Sequence, residues 1–553
     1  MMLLLLITLA AAALKGVFFF SYHSTDLEVH RNWIALTHSL PASEWYFEST
    51  SKWTLDYPPF FAWFQWVLSH VAAIVDPEMV TITALPYSSL RTIAFMRSTV
   101  LVSETMLFFS LWRLWGAFAR LCGNCISKRR LPLTFVLFAF NFGLVLVDHI
   151  HFQYNGFLFG ILFLSGSLLI EEQFILAAFG FTMLLNMKHI FIYVVPAYFI
   201  YFLFNYVFAS AGRRFSGVLI KLLALGLTVF SVMALSLGPY YSKSHLNQLY
   251  LRLFPFGRGL THTYWAPNVW AVYNFAEKVL CSINNYFHLW PSINTITGSL
   301  TSGLLGENKY VILPTVTPLH TAILSLVAML PNLFQCARRS LTFDTVYAPF
   351  LGAEYLKVTI GAAWACFLFG WHVHEKAVLM FLLPLNLLAI VDPRFSAVAF
   401  YATTLGHYSL IPLIPTRAET PAVLSMFLAY TSVHWLALFR IPPTGDSSTP
   451  MKTKPGSKAH GFIGTIAHLH LWGLVPLYIC CFIVWPLSTL HQRLPFFPNM
   501  ATSVYTAVGL VFAFCYFVFQ CFDCIRSQSV QTVAGTKKPN QKRKQNEKKI
   551  KVQ

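Results

Sequence analysis

Ionisable side chains gather in four short clusters of a sequence that is otherwise apolar. The first cluster, residues 24–31, holds Asp26 and Glu28, and a further carboxylate, Asp56, follows in the stretch 55–59. The other three clusters are residues 148–155, Lys188 with His189, and residues 371–376. A carboxylate can take a proton from a hydroxyl group, whereas lysine and histidine side chains can bind a phosphate through charge-assisted hydrogen bonds. The clusters therefore hold the groups that acid–base and phosphate chemistry require.

Each cluster also has a simpler interpretation. Acidic residues in a polar segment usually form a solvated face, and a tryptophan such as Trp45 often anchors a chain at a membrane interface. His372 and His374 suggest metal binding, but residues two apart point to different faces of a helix, and no further ligands stand at a known spacing. Cys122 and Cys125 form a CxxC pair without a second pair or a histidine partner. The sequence thus predicts no metal site and no cofactor.

The composition places these clusters in a membrane protein. Hydrophobic residues make up 56% of the 553 residues and charged residues 11%, and the mean hydropathy is +0.59. Soluble domains carry roughly 25% charged residues, so this chain has too little charge to cover a globular surface in water. The apolar runs are continuous and do not alternate with polar residues, which argues against a membrane β-barrel. The predicted fold class is all-α, a polytopic helical membrane protein.

The formal net charge of +18 does not indicate a nucleic-acid-binding protein. Much of the excess lies in residues 536–553, a lysine-rich stretch without aromatic side chains that stack on bases. A basic tail after a last apolar run is typical of a cytosolic segment, and it can contact anionic lipids. The sequence predicts a lipid bilayer as the surroundings of the chain and no nucleic-acid partner.

The apolar runs predict about 12–15 membrane-spanning helices. Residues 1–20 are interpreted as an uncleaved anchor, because no basic residue precedes the apolar run as a cleaved signal peptide requires. Residues 442–457, rich in Pro, Gly, Ser and Thr, predict a flexible connector. The predicted segments are 1–20, the first anchor; 21–59, a catalytic polar loop; 60–239, transmembrane helices; 240–310, a polar and aromatic segment; 311–523, further transmembrane helices; and 524–553, the basic tail.

Taken together, the clusters favour the transfer of a sugar from a lipid phosphate to an alcohol. A carboxylate on a polar loop can deprotonate the incoming hydroxyl, and cationic groups at span ends can stabilise a departing phosphate. Aromatic residues in polar loops suit the apolar faces of sugar rings. A solute transporter is the alternative from another class. It is disfavoured because transporters place their charges near the bilayer midplane, on broken helices that occur in pairs.

Several motifs resemble one known family. They are TDLEVHRNW at 25–33, WTLDYPPFFAW at 53–63, DHIHFQYNGFLFG at 148–160, RLFPFGRGL at 252–260 and GWHVHEKA at 370–377. They resemble the endoplasmic-reticulum glucosyltransferases that use dolichyl phosphate glucose, within the C-type superfamily of polytopic glycosyltransferases. The resemblance implies a C-type fold and inverting transfer of glucose to a dolichyl-diphosphate-linked oligosaccharide. Residues 25–33 and 261–268 look more like the enzyme that adds the second glucose, through an α-1,3 bond, than the enzyme that adds the first.

The resemblance also implies roles for single residues. Asp26 matches the general base, which would accept the proton of the 3-hydroxyl group of the terminal glucose. Asp56 matches the Asp of the LDYPP motif, as either a supporting acid or a structural cap before Pro58 and Pro59. Glu28 is a further candidate for a supporting acid, and its role stays open. The candidates for binding the donor phosphate are His372, His374, Lys376 and Arg258. The β-linked glucose of the donor would become α-linked in the product, without a metal ion. This chemistry requires residues 371–376 to fold back onto the first polar loop.

The same resemblance implies a location in the endoplasmic-reticulum membrane. The chain ends in KIKVQ at 549–553, which looks like a retrieval signal that functions only in the cytosol. With an even number of spans, both termini are cytosolic and the first loop is lumenal.

Overall fold

The fold places the ionisable clusters on or beside helices. The computed structural model describes residues 2–122, 130–209, 215–254, 256–262, 265–289, 310–342, 351–416, 418–441, 458–492 and 494–522. Within these ranges the only extended pairing is an isolated parallel bridge between Thr261 and Val373. The all-α fold class predicted from the sequence is confirmed.

The α-helices are numbered here in chain order. They are α1 Met2–Val17, α2 Thr25–Ser39, α3 Pro59–Val75, α4 Leu90–Ser103, α5 Thr105–Cys122, α6 Arg130–Ala139, α7 Phe142–Leu144, α8 Asn155–Ile170, α9 Phe174–Met187, α10 Val195–Phe202, α11 Phe215–Leu237, α12 Lys243–Leu253, α13 Val269–Phe287, α14 Pro318–Thr342, α15 Leu351–Phe369, α16 Leu379–Val391, α17 Ser396–Tyr408, α18 Thr420–Phe439, α19 Lys458–Trp472, α20 Leu474–Tyr478, α21 Trp485–Leu487 and α22 Phe497–Phe522. Turns of π-helix occur at Val145–Phe152, Leu203–Val207 and Ile479–Val484. Turns of 3-10 helix occur at Ala42–Glu44, Pro77–Val80, His189–Val194, Gly238–Tyr240, Glu375–Val378, Pro393–Phe395, Ile411–Leu413 and Thr489–Gln492.

Helix α2 lies inside the segment 21–59, which the sequence predicted as a polar loop. Ser24 caps this helix, because its Oγ accepts a hydrogen bond from the backbone N–H of Asp26 at 3.1 Å. Asp26 and Glu28 occupy the first turn, where carboxylates interact favourably with the helix dipole. Most of α2 is buried, so the first ionisable cluster stands on a packed helix instead of a solvated loop.

The described residues include eight helical stretches that are long and apolar enough to cross a membrane. Shorter apolar helices are α1, α3, α8 and α9. Helix α11 has a lipid-facing character, since only Val232 and Ser236 are buried whereas Leu227 and Phe230 are exposed. Water-soluble proteins rarely expose a continuous apolar surface of this kind. The chain is a multi-pass membrane protein, and the total of about 12–15 spans stays a prediction.

Tight packing around α15 and α16 supports the stretch that carries the last ionisable cluster. Trp364 of α15 stacks on Phe381 of α16 with ring centroids 4.3 Å apart, and α16 is buried over nearly its whole length. Asn268, which caps α13, donates a hydrogen bond to the backbone carbonyl of Phe367 at 3.2 Å. Residues 370–378 join these two helices, so both ends of that stretch are fixed.

Several predicted features lie outside the described residues. They are Cys125 of the CxxC pair, residues 290–309 of the polar segment, the connector 442–457 and the tail 524–553. The remaining part of the segment 240–310 contains α12 and α13. The predicted division into segments is not tested by the helix bounds and stays a prediction.

A buried ion pair ties α1 to the body of the protein. Lys15 Nζ lies 2.7 Å from Glu104 Oε1, and His149 Nε2 lies 3.1 Å from Glu104 Oε2. All three side chains are at most 2% exposed. Removing one partner of a buried pair leaves an uncompensated charge, which costs far more than the loss of a surface pair. The pair explains how α1 accommodates a lysine within an apolar helix.

Replacing Glu104 by Gln is expected to destabilise the protein by about 3–5 kcal/mol, because the Lys15 ammonium loses its buried counter-charge. The midpoint of thermal unfolding in detergent micelles should fall accordingly. The control Glu78→Gln changes an exposed carboxylate and should keep the wild-type midpoint. Equal midpoints for Glu104→Gln and the wild type would contradict a stabilising role for the pair.

Candidate active site

The structure brings the first and last ionisable clusters together at Asp26. Lys376 Nζ lies 2.7 Å from Asp26 Oδ2, although 350 positions separate the two residues. The same oxygen accepts a hydrogen bond from Gln153 Nε2 at 3.0 Å and lies 3.3 Å from His151 Nδ1. The Asp26 side chain is 22% exposed. Three protein groups therefore hold this carboxylate on one side and leave it accessible on another.

Ser24 and His151 fix the start of α2 beside this carboxylate. The Ser24 hydroxyl donates a hydrogen bond to the backbone carbonyl of His151 at 2.6 Å. Ser24 Oγ also lies 2.7 Å from His151 Nδ1. Because the hydroxyl proton is already donated to the carbonyl, the short contact with the ring requires Nδ1–H of His151 as the donor. That N–H points toward both Ser24 Oγ and Asp26 Oδ2.

Neighbouring positive charge determines the protonation state of Asp26. Burial alone would raise the pKa of this carboxyl group, but the Lys376 ammonium and His151 outweigh that effect. The pKa of Asp26 is consequently held well below its ordinary value. At neutral pH the group is an ionised carboxylate, the form that a general base requires.

Glu28 is held by other partners, although it stands only two residues from Asp26. Arg31 Nε lies 3.0 Å from Glu28 Oε2, and the backbone N–H of Tyr87 donates to the same oxygen at 3.1 Å. Arg31 also donates to the backbone carbonyl of Thr81 at 2.9 Å. Residues two apart on a helix face different directions. These contacts give Glu28 a structural environment that joins α2 to the stretch 79–87.

Asp56 has a different environment from Asp26. Within the described residues no donor lies at hydrogen-bond distance from its carboxylate. Burial raises the pKa of Asp56 to about 6, against the opposing charges of Arg258 and Lys188, while the negative charge of Asp26 adds to the increase. The charge of Arg258 thus acts on Asp56, and it acts on His372 of the 371–376 stretch as well.

Residues 258–261 and 371–373 form one wall of the site. Trp371 Nε1 donates to the backbone carbonyl of Arg258 at 3.1 Å. The backbone N–H of His372 donates to the carbonyl of Leu260 at 2.9 Å. His372 adopts a left-handed conformation with φ 50°, which is costly for a residue with a side chain. Contacts between the motifs at 252–260 and 370–377 therefore hold His372 in a backbone conformation that is unfavourable for this residue.

His372 and His374 are neutral at physiological pH. Burial lowers the pKa of His372 to about 4, and burial together with His262 and Lys376 lowers the pKa of His374 well below its ordinary value. His372 Nδ1 lies 2.7 Å from the backbone carbonyl of Gly259 and must be its donor. A neutral imidazole carries one N–H, so His372 has none left for a phosphate, whereas His374 can offer one. Lys376 supplies the positive charge of this stretch.

One group of side chains near Lys376 resembles a metal site. His262, His374 and Glu375 offer ligand atoms that all lie within 4.8 Å of one another, and His262 Nδ1 is 3.7 Å from Glu375 Oε2. Zinc bound at about 2.0–2.1 Å draws tetrahedral ligands to within roughly 3.4 Å of one another. The spacing is therefore loose for zinc, and the ammonium of Lys376 follows next in the chain. His262 and Lys376 hold the pKa of Glu375 below its ordinary value against the effect of burial, so this carboxylate would repel an anion.

The residues chosen from the sequence leave out four side chains that the structure adds to the site. His151 and Gln153 contact Asp26 directly, and Lys188 Nζ lies 3.4 Å from Gln153 Oε1. His262 stacks near His374, with ring centroids 4.1 Å apart. The sequence does flag the clusters 148–155 and 188–189, but their contact partners depend on how α8 and α9 pack.

Comparisons with known proteins agree on one family. The model of the ALG6, ALG8 glycosyltransferase family matches residues 8–517. The dolichyl pyrophosphate Glc1Man9GlcNAc2 alpha-1,3-glucosyltransferase of Mus musculus is 41% identical over 524 residues, covering 92% of this chain and 93% of the relative. The probable enzyme of the same name from Drosophila melanogaster is 40% identical over 510 residues, with 91% of each chain covered. The Dictyostelium discoideum enzyme of that name is 33% identical over 573 residues, with 90% of each chain covered.

We expect the purified protein to hold no stoichiometric metal, since the donor atoms of His262, His374 and Glu375 are too far apart for zinc. Elemental analysis by mass spectrometry checks this, together with a thermal unfolding midpoint that EDTA leaves unchanged. One bound zinc ion per chain, lost in His262→Ala but kept in the exposed control His288→Ala, would show that the expectation is wrong.

Proposed function

The chain belongs to the ALG6, ALG8 glycosyltransferase family, and we propose that Asp26 and Lys376 form the centre of its glucosyl-transfer site. The enzyme is a dolichyl pyrophosphate Glc1Man9GlcNAc2 α-1,3-glucosyltransferase, which adds the second glucose during assembly of the N-glycan precursor. The glucose donor in this proposal is dolichyl phosphate β-glucose. Both substrates carry a long lipid, which fits a site at the edge of a multi-pass membrane protein.

The contact between Asp26 and Lys376 is the observation that carries the proposal. A carboxylate able to accept a proton and an ammonium able to face a phosphate lie 2.7 Å apart. Transfer of a sugar from a phosphate to a hydroxyl needs both functions within one site, a base for the hydroxyl and a positive charge for the leaving group. The two residues come from distant stretches, so the fold itself assembles this pair.

The proposed reaction is a single inverting displacement. The 3-hydroxyl oxygen of the terminal glucose on the acceptor attacks the anomeric carbon of the donor, while Asp26 accepts the hydroxyl proton. The new oxygen–carbon bond forms on the face opposite the phosphate, the bond from the anomeric carbon to the phosphate oxygen breaks, and its electron pair stays on dolichyl phosphate. The β-linkage of the donor becomes the α-1,3 linkage of the product. A phosphate is a weakly basic leaving group, so no general acid is required.

Several groups are available to stabilise the developing charge. The Lys376 ammonium carries three N–H donors, so beside its contact with Asp26 it can also donate a hydrogen bond to the departing phosphate. The neutral His374 can offer one hydrogen bond beside it, whereas the single N–H of neutral His372 is donated to the backbone carbonyl of Gly259. Arg258 belongs to the same wall and its charge acts on Asp56, and a guanidinium and a carboxylate both suit contacts with sugar hydroxyls. In this scheme Asp56 supports binding and Glu28 supports the fold of α2.

The proposed setting is the endoplasmic-reticulum membrane, with Asp26 on the lumenal side and the basic tail in the cytosol. Positive residues collect on the cytosolic side of membrane proteins, and the lysine-rich stretch 536–553 follows the last apolar run. The segments 21–59 and 240–310 would then be lumenal. The bilayer supplies the lipid tails of both substrates.

Replacing Asp26 by Asn should lower transfer about 10²–10⁴-fold, because the amide cannot accept the proton. The assay supplies purified protein with dolichyl phosphate glucose and Glc1Man9GlcNAc2 dolichyl pyrophosphate and follows the diglucosylated product. An acceptor without glucose should not react, which separates this enzyme from a relative that adds the first glucose. The control Glu44→Gln alters an exposed carboxylate of the same segment and should keep full activity. Unchanged transfer by Asp26→Asn would refute the assigned base.

Replacing Lys376 by Met should move the acidic limb of the kcat/KM profile to higher pH. In the wild type the Lys376 ammonium opposes burial and keeps the pKa of Asp26 low, so Asp26 stays ionised as the pH falls. Without that charge burial raises the pKa, and the ionised fraction is lost at a higher pH. Rates measured from about pH 5 to pH 8 test this shift. The exposed control Lys243→Met should keep the wild-type limb, and an unmoved limb in Lys376→Met would contradict the pairing.

A further inference from the structure

The two oxygens of Asp26 are not equivalent. Oδ2 is close to three groups: Lys376 Nζ at 2.7 Å, Gln153 Nε2 at 3.0 Å and His151 Nδ1 at 3.3 Å. In the part of the chain that the structure describes, no protein donor reaches Oδ1. The carboxyl plane is therefore fixed through one oxygen, and the other oxygen is left to meet a substrate.

The orientation of the Gln153 amide is determined by its own partners. Its Oε1 accepts a hydrogen bond from Asn155 Nδ2 at 3.0 Å and faces the Lys188 ammonium at 3.4 Å. Exchanging the amide nitrogen and oxygen would point N–H groups at both of these donors. Gln153 must consequently present Nε2 to Asp26, which accepts in its ionised form but cannot donate.

The partners of Gln153 are themselves anchored. Asn155 Oδ1 accepts from Lys188 Nζ at 3.1 Å, while Asn155 Nδ2 donates to Asp148 Oδ1 at 2.8 Å. Asp148 Oδ2 accepts the backbone N–H of Gly156 at 2.6 Å. Lys188 also lies over the Tyr57 ring, 5.2 Å from its centroid. A continuous polar chain thus runs from the start of α8 to the candidate base.

The backbone before Gln153 also serves to aim this side chain. The π-helical turn Val145–Phe152 ends with Phe152 at φ 94°, in the left-handed region. Such a conformation is unfavourable for a bulky residue and persists only where surrounding structure enforces it. Phe152 is fully buried and its ring packs near His30, with centroids 5.5 Å apart. The reversal turns Gln153 out of the helix direction toward Asp26.

We propose that Gln153 is a positioning residue that holds the Asp26 carboxylate with Oδ1 toward the acceptor hydroxyl. This inference rests on the proposed function of the site. Gln153 acts through Asp26 and does not itself exchange a proton. Loss of its N–H leaves Oδ2 with Lys376 and His151, so the carboxylate can rotate away from the in-line geometry. A misplaced base slows the chemical step without weakening the binding of either lipid substrate.

The first test replaces Gln153 by Met, which keeps the length of the side chain and removes its hydrogen bonds. We expect kcat to fall about ten- to hundredfold, because the base is misplaced in the chemical step. The KM values for both lipid substrates should stay within about twofold, because Gln153 does not contribute to substrate binding in this proposal. The matched control Gln173→Met alters an exposed glutamine at the start of α9 and should retain wild-type kinetics. A wild-type kcat in Gln153→Met, or a defect confined to KM, would overturn the positioning role.

The second test replaces Gln153 by Glu, which is nearly isosteric. A second carboxylate facing Asp26 disfavours its ionised form, so the acidic limb of the kcat profile should move to higher pH. Thermal unfolding of each variant identifies the folded samples. If Gln153→Met does not fold, the pH profile of Gln153→Glu tests the inference by itself. An unmoved limb in folded Gln153→Glu would overturn the inference. Absence of transfer by the wild type is a separate result, because it refutes the proposed function itself.

Discussion

The pairing of Asp26 with Lys376 is the constraint on which the rest of the site depends. An ion pair that is mostly shielded from water forms only when both partners are brought to it, since a single partner left there is costly. Two devices meet this requirement. Ser24 caps α2 and fixes Asp26 in its first turn, while the packing of Trp364 on Phe381 fixes the helices on either side of Lys376. The bridge between Thr261 and Val373 then completes the wall.

Two carboxylates of the same segment differ because their surroundings differ. Asp26 lies against an ammonium and two further donors, and its pKa is low despite burial. Asp56 lacks such contacts within the described ranges, and burial raises its pKa to about 6. Pairs of acids whose environments push their pKa values apart are how active sites give one residue type two roles. The separation supports assigning proton transfer to Asp26 and a binding role to Asp56.

Composition and motif content were sufficient to predict an all-α membrane protein and the glucosyltransferase family. They also selected Asp26 and Lys376, whose side chains the structure brings into contact and whose roles stay predictions. Composition works at this level because the bilayer restricts the chain to helices. The same reasoning could not reveal that residues 25–39 are helical, because α2 is polar and buried by tertiary contacts. Nor could it reveal that Gln153 contacts Asp26, since 127 positions separate them and the geometry depends on the reversal at Phe152. Long-range pairing lies beyond any local pattern.

The position of Lys376 beside the base, instead of beside the phosphate alone, has a consequence for the charge balance of the proposed reaction. During transfer, one unit of negative charge leaves Asp26 as it gains a proton, and one unit appears on the departing phosphate. An ammonium within reach of both groups loses attraction to the first as it gains attraction to the second. The cation therefore needs only a small displacement to stay paired throughout, and no additional charge has to enter a poorly solvated site. The low pKa of Asp26 in the resting site is compatible with its action as a base, because movement of Lys376 toward the phosphate raises that pKa as the proton arrives.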